Sequence, residues 1–152
     1  MGFFSNSSFP SGVTDISISF NDGVKFYDNN GSRFFYDLPY DVRSNYNHFF
    51  SIPQGTKDLS YFYAECGSYN AQTSIPSSVV NAQNMFQYCY NYNKATTLPS
   101  SLNNAYGMFT GCYNFSQAVT IPDSVSNAQY MFQYCENLNK KIKINVNKES
   151  FI

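Results

Sequence analysis

The sequence predicts a repeat solenoid in which short parallel strands alternate with short helical or 3-10 return legs behind an N-terminal antiparallel β cap. Three observations predict it. The four cysteines, Cys66, Cys89, Cys112 and Cys135, stand 23 residues apart, and so do Pro53, Pro76, Pro99 and Pro122. Between them run further columns in the same register: Phe86, Phe109 and Phe132 (Tyr63 in the first copy), Met85, Met108 and Met131 (Phe62 first), and Leu59, Ala82, Ala105 and Ala128. The segments before each proline alternate apolar and polar residues, as in QAVTIP. A period of this length belongs to stacked coils, because one coil cannot bury its apolar side alone and its neighbours do it instead.

In chain order, residues 1–12 read as an extended arm in which Phe3, Phe4 and Phe9 are candidate anchors, since three bare Phe on a free tail would be a liability. Residues 13–51 hold TDISISF, GVKFYDN and SRFFYDL separated by N-D-G and N-N-G-S, which are hairpin-turn signals, and are expected to form the β cap. Residues 52–144 carry the four copies. In each copy the β-branched segment before proline is the expected strand, and proline followed by Ser-Ser-Val or Asp-Ser-Val turns the chain. NAQxMFxxC then places Ala, Met, Phe and Cys at helix-like offsets, so one or two turns of α- or 3-10 helix are expected there. Residues 145–152, after the lysines of KKIKIN, are expected to cap the C-terminal end.

Composition excludes several function classes. Aromatics are 19% and charged residues only 12% of the chain, the reverse of a disordered sequence. A net charge of −1 offers no basic footprint, so no nucleic-acid partner is expected. No run is long and apolar enough for a membrane span, and the N-terminus lacks a basic region followed by an apolar one. There is one histidine, His48, so any Ser-His or Cys-His constellation would have to use it; an ordinary rim histidine is the expectation. Single cysteines one coil apart lack the paired spacing of structural zinc sites. They are expected to be a structural core ladder together with Phe86, Phe109, Phe132, Met85, Met108 and Met131, with no metal, cofactor or catalytic residue.

The pattern I-P-x-S-V-x-x-A-x-x-M-F-x-x-C-x-N resembles the 23-residue leucine-rich repeats of the BspA (Treponema pallidum) type over residues 52–144. The resemblance implies a non-enzymatic structural or interaction protein. Such repeats occur in bacterial surface proteins and bacteriophage virion proteins. A virion component, such as a head decoration, fibre or tail-tip protein made in the host cytoplasm, is one expectation, and a bacterial cell-surface adhesin is the alternative. The implied partners are protein, through a virion lattice or self-association, and a host-envelope glycan or protein. The candidate binding surface comprises Tyr61, Tyr88, Tyr106, Tyr130 and Tyr134, whose rings give rigid amphipathic contact area, with Thr97 and Thr120 on the strand face.

Overall fold

The computed structural model of the chain describes residues 25–144. The expected arm with Phe3, Phe4 and Phe9, the TDISISF strand and the C-terminal cap at 145–152 lie outside the described residues.

Successive copies lie side by side in parallel: Asp58, Asn81 and Asn104 are each bridged to the residue 23 further on, the last bridge reaching Asn127. The largest set of hydrogen bonds that join the copies runs through the NAQxMFxxC segments. The N–H groups of Leu59, Tyr61, Tyr63 and Glu65 donate to the carbonyls of Asn81, Gln83, Met85 and Gln87 at 2.7–2.9 Å. Ala82, Asn84, Phe86 and Tyr88 donate in the same way to Asn104, Tyr106, Met108 and Thr110, and Ala105, Gly107, Phe109 and Gly111 to Asn127, Gln129, Met131 and Gln133. Each of these bonds runs from a copy to the next, while at the flanking places the direction reverses: Val80, Asn103 and Ser126 donate back to Lys57, Val80 and Asn103, and Asn91, Asn114 and Asn137 to Gly67, Tyr90 and Tyr113. The intervening N–H groups close turns within their own copy, such as Met85 to the Ala82 carbonyl (3.1 Å) and Cys89 to the Phe86 carbonyl (2.9 Å). The first turn of each copy is fixed by its Asx side chain: Asp58, Asn81, Asn104 and Asn127 accept through Oδ1 from the N–H two residues on at 2.8–3.1 Å. The backbone is thereby satisfied without helix or strand.

This corrects the helical return leg. Each copy enters the left-handed region twice: at Tyr61, Asn84, Gly107 and Tyr130 (φ 52–57°), and at Glu65, Tyr88, Gly111 and Tyr134 (φ 57–75°). A right-handed helix excludes such residues. Consecutive four-residue turns also bring every third or fourth side chain to one face, so Ala, Met, Phe and Cys showed a helical spacing without a helix. The strand expectation is corrected in part as well. Among the described residues, the one pair of strands is β1 (Val119–Thr120) and β2 (Ile142–Lys143), parallel, with Val119 opposite Ile142 and Thr120 opposite Lys143. The earlier segments before proline keep the alternation of an extended chain, with Thr73, Thr96 and Leu98 buried and Ser74 and Thr97 exposed, but form no ladder. The turn segments set the spacing between copies in their place.

The described part of the expected β cap, residues 25–51, contains no antiparallel pair. Tyr27–Asn29 is a single 3-10 turn in which Asp28 and Asn29 take left-handed φ, and α1 is a short helix, Tyr40–Arg43. Asn30 instead bridges in parallel to Asp58, and Gly31, Arg33 and Phe35 donate to the carbonyls of Asp58, Ser60 and Phe62. NGSRFFYDL is therefore a degenerate earlier copy, with Phe34 in the Met place, Phe35 in the Phe place and Leu38 in the Cys place. It lies 28 residues before its successor rather than 23, and α1 sits in the added length. Gly31 is required in the Ala place because a Cβ there would come within 2.6 Å of the Phe26 ring.

The core is two columns of parallel rings. Phe35, Tyr63, Phe86, Phe109 and Phe132 stack at 5.3–5.6 Å, with interplanar angles of 2–19°. Tyr46, Tyr69, Tyr92 and Phe115 form the second column at 5.7–6.0 Å. The columns interleave, as in Tyr63–Tyr69 at 4.0 Å, Phe86–Tyr92 at 4.3 Å and Phe109–Phe115 at 4.5 Å. Each such pair adds about 0.5–1.5 kcal/mol beyond its buried area, so the ring columns are a principal source of cohesion between copies. The second column carries its own polar pattern. At Tyr69 and Tyr92 a buried Thr four residues on meets the phenol, Tyr69 with Thr73 at 2.8 Å and Tyr92 with Thr96 at 2.5 Å, whereas Tyr46 has Phe50 there. Where the ring is Phe115, the same place holds Val119.

Candidate recognition surface

The cysteines lie in the core. Cys66, Cys89 and Cys112 are fully buried and Cys135 is half-buried. Their thiols also bond: Cys89, Cys112 and Cys135 donate through Sγ to the carbonyls of Tyr63, Phe86 and Phe109 one copy back, at 3.0–3.1 Å. Burial pushes Cys66, Cys89 and Cys112 far above the ordinary thiol range and Cys135 up to about 11. A thiol held protonated is neither a nucleophile nor a metal ligand. Among the described residues no group of three His, Cys, Asp or Glu side chains comes together. Met85, Met108, Met131, Phe86 and Phe109 are buried beside the cysteines, and Phe132 is half-buried. His48 is exposed, edge-on to the Tyr46 ring at 5.8 Å.

The expected binding residues divide between two regions. Thr97 and Thr120 are exposed on the segments before proline, where they line open grooves of about 510 and 290 Å³ with Gln72, Ser74, Ala95 and Ala118. A side-chain bond from Gln72 Nε2 to the Ala95 carbonyl (2.8 Å) crosses the larger groove. The tyrosines belong to the turn segments. Tyr130 and Tyr134 are 54% and 55% exposed, whereas Tyr61, Tyr88 and Tyr106 are half-buried. Tyr61 stacks on Tyr36 and Tyr106 meets Tyr130 edge-on. The Tyr88 ring lies so close over Gly111 that a Cβ there would sit 2.2 Å from it.

The structure adds tyrosines that the sequence reading missed. Tyr40, Tyr90 and Tyr113 are exposed, and Tyr90 and Tyr113 stack at 5.0 Å with Tyr88 6.0 Å from Tyr90. Tyr40, Glu65, Gly67, Tyr88 and Tyr90 enclose a cleft of about 260 Å³. Burial, then Tyr113, Tyr40, Tyr88 and Glu65, raise the Tyr90 phenol, so these groups act on one another as a cluster. Glu65 is joined to Arg43, whose Nη2 donates to Oε1 at 2.9 Å while Nη1 donates to the Leu38 carbonyl at 2.8 Å. The guanidinium lies 5.1 Å from the ring centres of both Tyr36 and Tyr40. Next to Tyr90 and Tyr113, Asn91, Asn114 and Asn137 form an amide ladder at 3.2–3.3 Å. A column one place after the cysteines, Gly67, Tyr90, Tyr113, Glu136, was the available signal.

No curated protein and no solved structure matches the chain. A family model described as "Mycoplasma protein of unknown function, DUF285" matches residues 57–150, more than half of its length. The match begins at the first turn segment with regular spacing and leaves out the degenerate copy at 30–38. On the strength of that match, the chain belongs to the DUF285 family.

Proposed function

We propose that the chain is a non-enzymatic recognition module, a solenoid of BspA-type repeats that presents a neutral, tyrosine-rich surface to a protein or glycan partner. The observation that carries this reading is the group of exposed tyrosines, Tyr40, Tyr90, Tyr113, Tyr130 and Tyr134, on a framework whose cohesion comes from buried rings and backbone bonds. Rings held at exposed places by a rigid ladder lose little freedom on binding, which favours recognition. The thiols, protonated and buried, support a packing role for the cysteines.

Two settings suit such a module. One is a bacteriophage virion part that contacts a lattice neighbour or a host envelope. The other is a bacterial cell-surface adhesin. Density-gradient fractionation of the source with quantitative mass spectrometry separates them. Co-banding with capsid protein at a fixed ratio is the outcome for a virion part, and recovery with cell envelopes is the outcome for an adhesin. A purely cytosolic protein would refute both.

A further inference from the structure

The stacked column of exposed tyrosines stops one place short. Tyr113 lies on Tyr90 at 5.0 Å and 14°, and the preceding place in the same column is Gly67. A Cβ built at Gly67 would meet Tyr90 Cδ2 at 3.3 Å, so the Tyr90 ring lies directly against a residue without a side chain. The cleft of about 260 Å³ bounded by Tyr40, Glu65, Tyr88 and Tyr90 occupies that place. It is smaller than the pockets that take drug-sized ligands, and it suits a single six-membered ring.

Charge and hydrogen-bonding capacity decide which ring. Glu65 is already neutralised by Arg43 at 2.9 Å, and the guanidinium lies 5.1 Å from the centre of the Tyr40 ring. The cleft is lined by Glu65, whose charge Arg43 offsets from outside the lining, so a cation gains little net attraction there and an anion would meet the carboxylate. A neutral ligand meets no such penalty. The walls also offer polar partners that a purely aromatic guest would leave unused: the Glu65 carboxylate and the phenols of Tyr40, Tyr88 and Tyr90, which are donors and acceptors at once. An apolar ring face combined with a rim of hydroxyls is the chemistry of a pyranose.

We propose that this cleft binds one sugar residue of a neutral oligosaccharide, stacked against Tyr90 and hydrogen-bonded by Glu65 and the surrounding phenols. The Asn91, Asn114 and Asn137 ladder beside the tyrosine column would receive adjoining residues of the glycan. This proposal rests on the recognition reading above and gives it a ligand class.

The test is ligand-observed NMR titration of the full chain with a panel of neutral cello-, chito- and manno-oligosaccharides, alongside tetramethylammonium, acetate and phenol. Saturable binding of at least one sugar is expected, weakened about tenfold by Tyr90→Ala and changed less than about threefold by Tyr90→Phe. Tyr27→Ala, exposed in the 3-10 turn and outside the tyrosine group, is expected to leave it unchanged. Absence of binding by every sugar at millimolar concentration, binding indifferent to Tyr90→Ala, or a preference for tetramethylammonium, acetate or phenol would overturn it. Retention of Tyr90→Ala protein on envelopes or virions, measured in parallel, separates the two ideas. If retention persists while no sugar binds, the glycan site falls and the recognition module stands.

Discussion

Thr96→Val tests whether the second ring column depends on its buried hydroxyl pairs. Tyr92 is fully buried and Thr96 is 5% exposed, and their oxygens are 2.5 Å apart. Thr96 has one hydroxyl proton and donates it to the Lys94 carbonyl at 2.9 Å, so it is Tyr92 that donates to Thr96. Valine keeps the shape and removes both bonds. A buried hydroxyl left without a partner costs about 1–3 kcal/mol, and loss of the bond to Lys94, about 1 kcal/mol, brings the total to about 2–4 kcal/mol. For a chain of this size, each kcal/mol lowers Tm by about 2–4 °C, so a fall of roughly 4–16 °C is expected. The double variant Tyr92→Phe/Thr96→Val removes donor and acceptor together and should recover most of the loss, because replacing both partners by apolar groups is close to neutral. The chain already contains that combination in the next copy, at Phe115 and Val119. Urea denaturation of wild type, both single variants and the double variant gives the coupling energy directly. A double variant no more stable than Thr96→Val would refute the reasoning.

Three further outcomes follow from the same geometry. In native protein, thiol labelling followed by peptide mapping should modify Cys135 first and Cys66, Cys89 and Cys112 only on unfolding; rapid native labelling of Cys89 would contradict the core ladder. Stability should fall in alkali. Tyr92 is raised from 10.0 to about 12 by burial, so its contribution is complete below pH 10 and is lost as the pH climbs from 10 to about 12, at about 1.4 kcal/mol per pH unit. The buried thiols begin the same loss near pH 9, and a Tm unchanged between pH 8 and 11 would exclude this. Finally, Gly111→Ala, at φ 75° and with a Cβ 2.2 Å from the Tyr88 ring, should cost roughly 2 kcal/mol. Tyr134→Gly, exposed at φ 62°, should instead gain up to about 1 kcal/mol by urea denaturation.

The period was legible because every place in a copy meets its counterpart in the next. The cysteine, methionine and phenylalanine columns recur at the same interval in sequence and in space. The local backbone was not legible. Ala82, Met85, Phe86 and Cys89 have the offsets of a helix, and the left-handed φ at two places makes the segment a run of turns; Asn84, Gly107 and Gly111 favour that φ, but Tyr61, Glu65, Tyr88, Tyr130 and Tyr134 at the same places do not, which hid the pattern. The copy at 30–38 was concealed by its 28-residue interval and by Phe-Phe in place of Met-Phe, which reads as a strand. The tyrosine cleft escaped for another reason. Tyr40 comes from α1 in the irregular stretch, so no column contains it, and it meets Glu65 and Tyr90 only through the fold.

The one-way bonds of the NAQxMFxxC segments have an electrostatic consequence. In the peptide groups 81–82, 83–84, 85–86 and 87–88, the carbonyl faces the copy before and the N–H faces the copy after, and the equivalent groups of the neighbouring copies do the same. Within these segments their dipoles add along the stack, with the positive pole toward residues 127–135 and the negative pole toward 30–38, and the reversed bonds at the flanking places offset part of the sum. Arg33 and Arg43 stand at the negative pole. Such a stack is a vector. Any further segment joining the ladder beside 127–135 would have to present carbonyls to it. Two identical ends brought together about a twofold axis would set donor against donor, so assembly through this ladder could only run head to tail.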